Sequence, residues 1–88
     1  MAVWTKRRKM AREGLAQARR ANDLWSTGKS LMTLGEIAWA RGDRAAAKRA
    51  YLEALTIWQG LSVPERIERV RGALRERFGP AADEPVAP

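Results

Sequence analysis

The 88-residue chain contains no cysteine and no histidine. A disulfide is therefore excluded. So is a structural zinc site of the usual kind, which needs thiolate and imidazole ligands. A chain this short forms one domain whose stability is marginal without help. With disulfide and zinc gone, that help must come from tight helix packing or self-association. The want of cysteine fits a cytoplasmic protein. Long apolar runs are missing too. None approaches the ~20 residues that span a bilayer, and the charged N-terminus lacks the apolar segment of a secretory signal.

Groups for catalysis are scarce in the same way. Without histidine, acid–base chemistry would fall to Asp, Glu, Lys or Tyr. The acids are interleaved with bases, as in Glu65, Arg66, Glu68 and Arg69, a pattern typical of solvated surface pairs. Gly28-Lys29-Ser30 looks like the end of a phosphate-binding loop, but the upstream glycine and strand are absent, so it reads as a helix start. A non-enzymatic chain with no cofactor and no metal is expected.

Positive charge is present in excess, +7 overall, and it is unevenly placed. Residues 1–20 hold seven bases against one acid, Glu13, while residues 21–88 hold ten bases and nine acids. The wealth of Ala and Arg is the composition of a GC-rich bacterial genome.

Four stretches carry helical periodicity. In the first, about Val3 to Asn22, Trp4, Ala11, Leu15 and Ala18 share a face. The second, about Thr27 to Arg41, is apolar over much of its circumference and should lie between neighbours. The third follows Gly42-Asp43, where Gly can end one helix in the left-handed conformation and Asp can cap the next. Its stripe is Ala47, Ala50, Tyr51, Ala54, Trp58 and Leu61. The fourth begins at Ser62-Val63-Pro64-Glu65, which has the spacing of a capping box. It carries Val63, Ile67, Val70, Leu74 and Phe78, and Gly79-Pro80 stops it. Short connections make neighbouring helices antiparallel. The expected architecture is all-α over residues 1–78, with a disordered Pro-rich tail at 79–88.

The segment from Leu31 to Leu55 resembles one tetratricopeptide repeat. Leu31 stands three residues before Leu34-Gly35, Gly42 follows at the turn, and Ala47, Tyr51 and Ala54 occupy the second helix at that family's spacing. Ala38, where a large aromatic is usual, and Gln59, where a Pro often closes the repeat, depart from the pattern. The chain is also weakly self-similar at an offset of 40: Glu13-Gly14-Leu15 recurs as Glu53-Ala54-Leu55. This longer spacing resembles the C-terminal repeat arrays of large bacterial ATPase-type transcriptional regulators. The resemblance implies an antiparallel four-helix array, one full repeat flanked by two half-repeats. It also implies a groove that binds a peptide or helix of a partner protein. Gly35 and Ala47 are expected to touch, letting the two central helices meet backbone to backbone.

Two groups of residues stand out as partner surfaces. Four tryptophans are many for a thin core, and tryptophan is favoured at interfaces. Trp25, Trp39 and Trp58 stand at the apolar helical spacing of core residues, yet some of Trp4, Trp25, Trp39 and Trp58, with Arg41, Arg44 and Lys48, are expected to form the protein-binding set. Two open apolar ends would further favour a homodimer. The second group is Lys6, Arg7, Arg8, Lys9 and Arg12. Positive charge near a helix N-terminus opposes the helix dipole and becomes favourable against an anionic partner. Nucleic-acid phosphate is one such partner, bound without base readout.

Overall fold

A computed structural model describes the backbone of residues 2–84 and the side chains of residues 5–84. It is all-helical, with no strand among the described residues: α1 (Ala2–Arg20), α2 (Leu24–Ala40), α3 (Arg44–Leu61) and α4 (Pro64–Phe78). Consecutive helices pack as antiparallel neighbours, and α2 lies between α1 and α3. No helix of the described residues is long and apolar enough to cross a membrane.

The helices end by one device used three times. Asn22, Gly42 and Ser62 adopt positive φ, at 54°, 82° and 56°, and they stand twenty residues apart. After each, the next N–H returns to the helix just finished: Asp23 to the Ala18 carbonyl (2.9 Å), Asp43 to Ala38 (2.9 Å) and Val63 to Trp58 (3.1 Å). These are left-handed closures that satisfy carbonyls otherwise left free at a helix end. The offset of 40 seen in the sequence is thus two helix–turn units of twenty. Asn tolerates the left-handed region through its short polar side chain; Ser62 holds it at some cost.

Two helix starts differ from those expected. Helix α2 begins at Leu24, not Thr27, because Asp23 caps it: its carboxylate accepts from the Ser26 N–H at 3.0 Å and the Ser26 hydroxyl at 2.7 Å. Those bonds from Ser26 hold the Asp23 carboxyl below the usual range. Asp43 does the same for α3, accepting from the Ala46 N–H at 3.1 Å. At α4 the capping box does not form. Ser62 is spent on closing α3, the N-cap is Val63, and no side chain caps the helix.

The core joins α2, α3 and α4 through Leu31, Ala47, Tyr51, Ala54, Leu55, Trp58, Val70 and Leu74. Two aromatic rings of α3 seat on two glycines of α2. A Cβ added at Gly35 would lie 2.7 Å from the Tyr51 ring, and one at Gly28 would lie 2.6 Å from the Trp58 ring. In both pairs the residue numbers add to 86, so one antiparallel register drops two aromatic rings into two glycine notches. Gly28 is therefore a packing residue inside α2. Ala47 is fully buried in the same core.

The described part of the expected tail is ordered against α4. Ala82 and Glu84 donate to the Gly79 and Ala81 carbonyls. Arg75 forks onto Asp83 with bonds of 3.2 and 2.9 Å, and Arg71 approaches the same carboxylate at 3.5 Å. The hydrogen bond from Arg75 keeps the Asp83 carboxyl below the usual range. Residues beyond Glu84 lie outside the described residues.

Candidate functional site

The tryptophans divide by depth. Trp58 is 0% exposed, enclosed by the chain's own side chains, so it offers nothing to a partner. Trp25 meets it edge-on, with ring centroids 5.0 Å apart, and Arg66 covers both rings. Trp25 itself stays exposed near Leu24 and Leu61. At the other end, Trp39 packs edge-on against Phe78 (5.3 Å) between the guanidinium groups of Arg44 (5.0 Å) and Arg77 (5.1 Å). The side chain of Trp4 lies outside the described residues.

Beside Trp39 sits a polar network that the sequence did not reveal. The Tyr51 hydroxyl donates to Glu36 at 2.7 Å. Arg77 donates to Glu36 at 3.0 Å and also to the Tyr51 oxygen. Burial, followed by the bond to Glu36 and its charge, pushes the Tyr51 hydroxyl well above the ordinary phenol range, against the opposing pull of Arg77. Glu36 and Arg77 are 41 residues apart, so no local pattern could have paired them.

The six described residues of the expected protein surface do not form one patch, although Arg44 and Trp39 meet. Arg44 is occupied by Trp39, Phe78 and the Arg77 carbonyl (3.2 Å). Lys48 lies on a separate face with Leu52 and the turn at residues 81–84. Arg41 belongs to a cleft between α1, α2 and α3.

The basic block is likewise divided, because residues of one helix turn point in different directions. Lys6 and Lys9 are exposed on the outside of α1. Arg7 enters a groove of about 840 Å³ between α1, α2 and α4, with Met10, Ala40, Lys29 and Arg77. Arg8 and Arg12 enter the opposite cleft, of about 410 Å³, where they meet Arg41 and Arg49. The floor of that cleft is apolar: Leu15, Leu34, Ala38, Ala46 and Ala50, with buried Leu31 and Ile37 beneath. Arg19 of α1 pairs with Glu53 of α3 within it. The Arg12 charge, then partial burial and Arg41, hold Arg8 below the usual arginine range. Asp43, which also lines the cleft, pulls the other way and more weakly.

Compared with known proteins, the chain matches no family model, no curated protein and no solved structure.

The outer surfaces of the end helices are polar. On α4 the exposed positions include Glu65, Glu68, Arg69, Arg75 and Glu76, and on α1 they are chiefly Lys, Arg and Gln. Among the described residues, the outer faces of α1 and α4 do not display the two open apolar ends expected to favour a homodimer. The exposed large apolar side chains among the described residues are Met10, in the larger groove, and Leu24, Trp25 and Leu61, where α2 begins and α3 ends.

Proposed function

We propose that the chain is a non-catalytic, tetratricopeptide-type interaction module that binds a partner protein in the bacterial cytoplasm. The observation that carries this is the stance of α1. Its principal neighbour is α2, so it rises as a ridge with a groove on either side. Both grooves have apolar lining beside cationic side chains. Apolar surface with a few placed polar groups is the usual make-up of a binding site, and grooves between helices suit an extended or helical ligand segment.

The test is affinity capture from nuclease-treated bacterial extract, with the immobilised chain in wild-type form and as a Met10→Lys, Leu34→Glu double variant. A protein retained by the first and lost from the second supports the module. Equal retention on both would sink it. Exposed Lys6 and Lys9 favour a second function, non-specific binding of nucleic acid along the outside of α1. A phosphate-bound complex should weaken steeply from low to physiological salt. No duplex shift at low salt removes that alternative.

A further inference from the structure

Resting on the protein-binding function proposed above, we infer that the cleft between α1, α2 and α3 receives an acidic amphipathic helix of the partner. Its carboxylates would meet Arg8, Arg12, Arg41 and Arg49, and its apolar edge would lie on Leu15 and Leu34.

Charge sets the sign of the ligand. Two acids line the cleft, and both are engaged: Asp43 caps α3 through the Ala46 N–H, and Glu53 holds Arg19. No ion pair among the described residues reaches Arg8, Arg12, Arg41 or Arg49. Bringing like charges together is unfavourable unless an anion joins them, and the cleft's partly apolar walls strengthen the attraction once water is displaced. Arginine is suited to the task because its planar fork takes carboxylate oxygens two at a time.

The floor sets the class of ligand. A nucleic-acid backbone would satisfy the arginines but leave Leu15 and Leu34 facing charged phosphate and water. An amphipathic helix carries both features on neighbouring stripes, with apolar and acidic residues three and four positions apart. A second copy of this chain is disfavoured, because both partners would carry +7. Arg19–Glu53 bridges α1 and α3 well along both helices, so a ligand enters from the end where Arg8 and Arg41 stand.

The probe is a synthetic helical peptide of leucine and glutamate, the length of α3, 18 residues, with leucines at three- and four-residue steps. Binding is followed by fluorescence anisotropy at physiological salt and located by amide chemical-shift changes. Expected is a saturable complex with shifts at Leu15, Leu34 and Ala50. Affinity should fall about tenfold or more in an Arg12→Glu, Arg41→Glu variant, the loss of at least one charge-assisted contact, and as far when the peptide's glutamates become glutamines. A Lys6→Glu, Lys9→Glu variant removes the same charge outside the cleft and should change affinity less than threefold or so.

The inference is overturned if the two charge variants weaken binding equally, or if polyglutamate or a DNA duplex competes as well as the peptide. It also falls if shifts cluster on Met10 and Ala40 in the other groove, or if no peptide binds; either result leaves the protein-binding function to stand or fall by extract capture.

Discussion

Helices α1 and α3 are nearly equal in length, 19 and 18 residues, both flank α2, and both end in the same left-handed closure. They bury very different amounts. Helix α3 buries Ala47, Tyr51, Ala54, Leu55 and Trp58, while α1 buries Ala18 alone among its described side chains. The difference follows from what each presents to α2. Helix α3 sends two aromatic rings into Gly28 and Gly35. Helix α1 offers Ala11, Gly14, Leu15 and Ala18, which fill little space, and crowds its other faces with cations. Stability is concentrated in the α2–α3–α4 side, and binding surface is concentrated around α1. That division suits a small domain, whose total stability is on the order of 5–15 kcal/mol and cannot spare its best-packed helix for a partner.

The comparison breaks most readily at Trp58. Replacing this fully buried ring (Trp58→Ala) should cost about 3–5 kcal/mol, enough to unfold much of the population in a urea titration. Trp58→Phe should cost far less. The indole Nε1 is buried with no hydrogen-bond partner among the described residues, so losing that donor removes an unsatisfied group as well as some volume. Equal losses for the two variants would show that the ring is not held by packing.

Hydrogen exchange sharpens the contrast without mutation. Amides in the middle of α1 should exchange about tenfold or more faster than those around Tyr51 and Leu55, because segments with few buried contacts open below the global unfolding free energy. Uniform protection through both helices would erase the distinction between ridge and core.

Glycine substitutions test the notches with one chemistry at two sites. Gly35→Ala gains about 1 kcal/mol of helix propensity but forces a methyl against the buried Tyr51 ring, an overpacking cost of about 1–3 kcal/mol; a net loss is expected in thermal melts. Gly72→Ala, where an added Cβ meets nothing within 4 Å, should instead stabilise by about 0.5–1 kcal/mol. A gain at both sites would mean that the rings do not seat as described.

The smallest effect is optical. Tyr51 is the sole tyrosine, so tyrosinate absorbance reports it directly. Its folded-state ionisation is raised above the ordinary phenol value of 10.0. Its contribution to stability is therefore complete below pH ~10 and is lost as pH rises through the higher folded value. Near pH ~10 the folded chain should show little tyrosinate, and the signal should appear with unfolding. Half-ionisation in the folded protein near pH 10 would mean that the hydroxyl is neither buried nor donating to Glu36.

By itself the sequence determined the number of helices, three of their boundaries to within a residue or so, and most of the core. Those follow from periodicity, from Gly42-Asp43 and from Gly79-Pro80, all of which act within a few residues along the chain. The start of α2 was legible too, since Asp23 precedes Leu24 as Asp43 precedes Arg44. Only the tertiary structure decided that Gly28 receives Trp58, that Gly35 receives Tyr51, and that Glu36 meets Arg77. It alone split the basic block, sending Arg8 and Arg12 into a cleft with Arg41 and leaving Lys6 and Lys9 outside. The reason is geometric. Periodicity fixes which side of one helix is apolar, but the partner across the gap depends on the register and rotation of two helices together, and neither is encoded within any single turn.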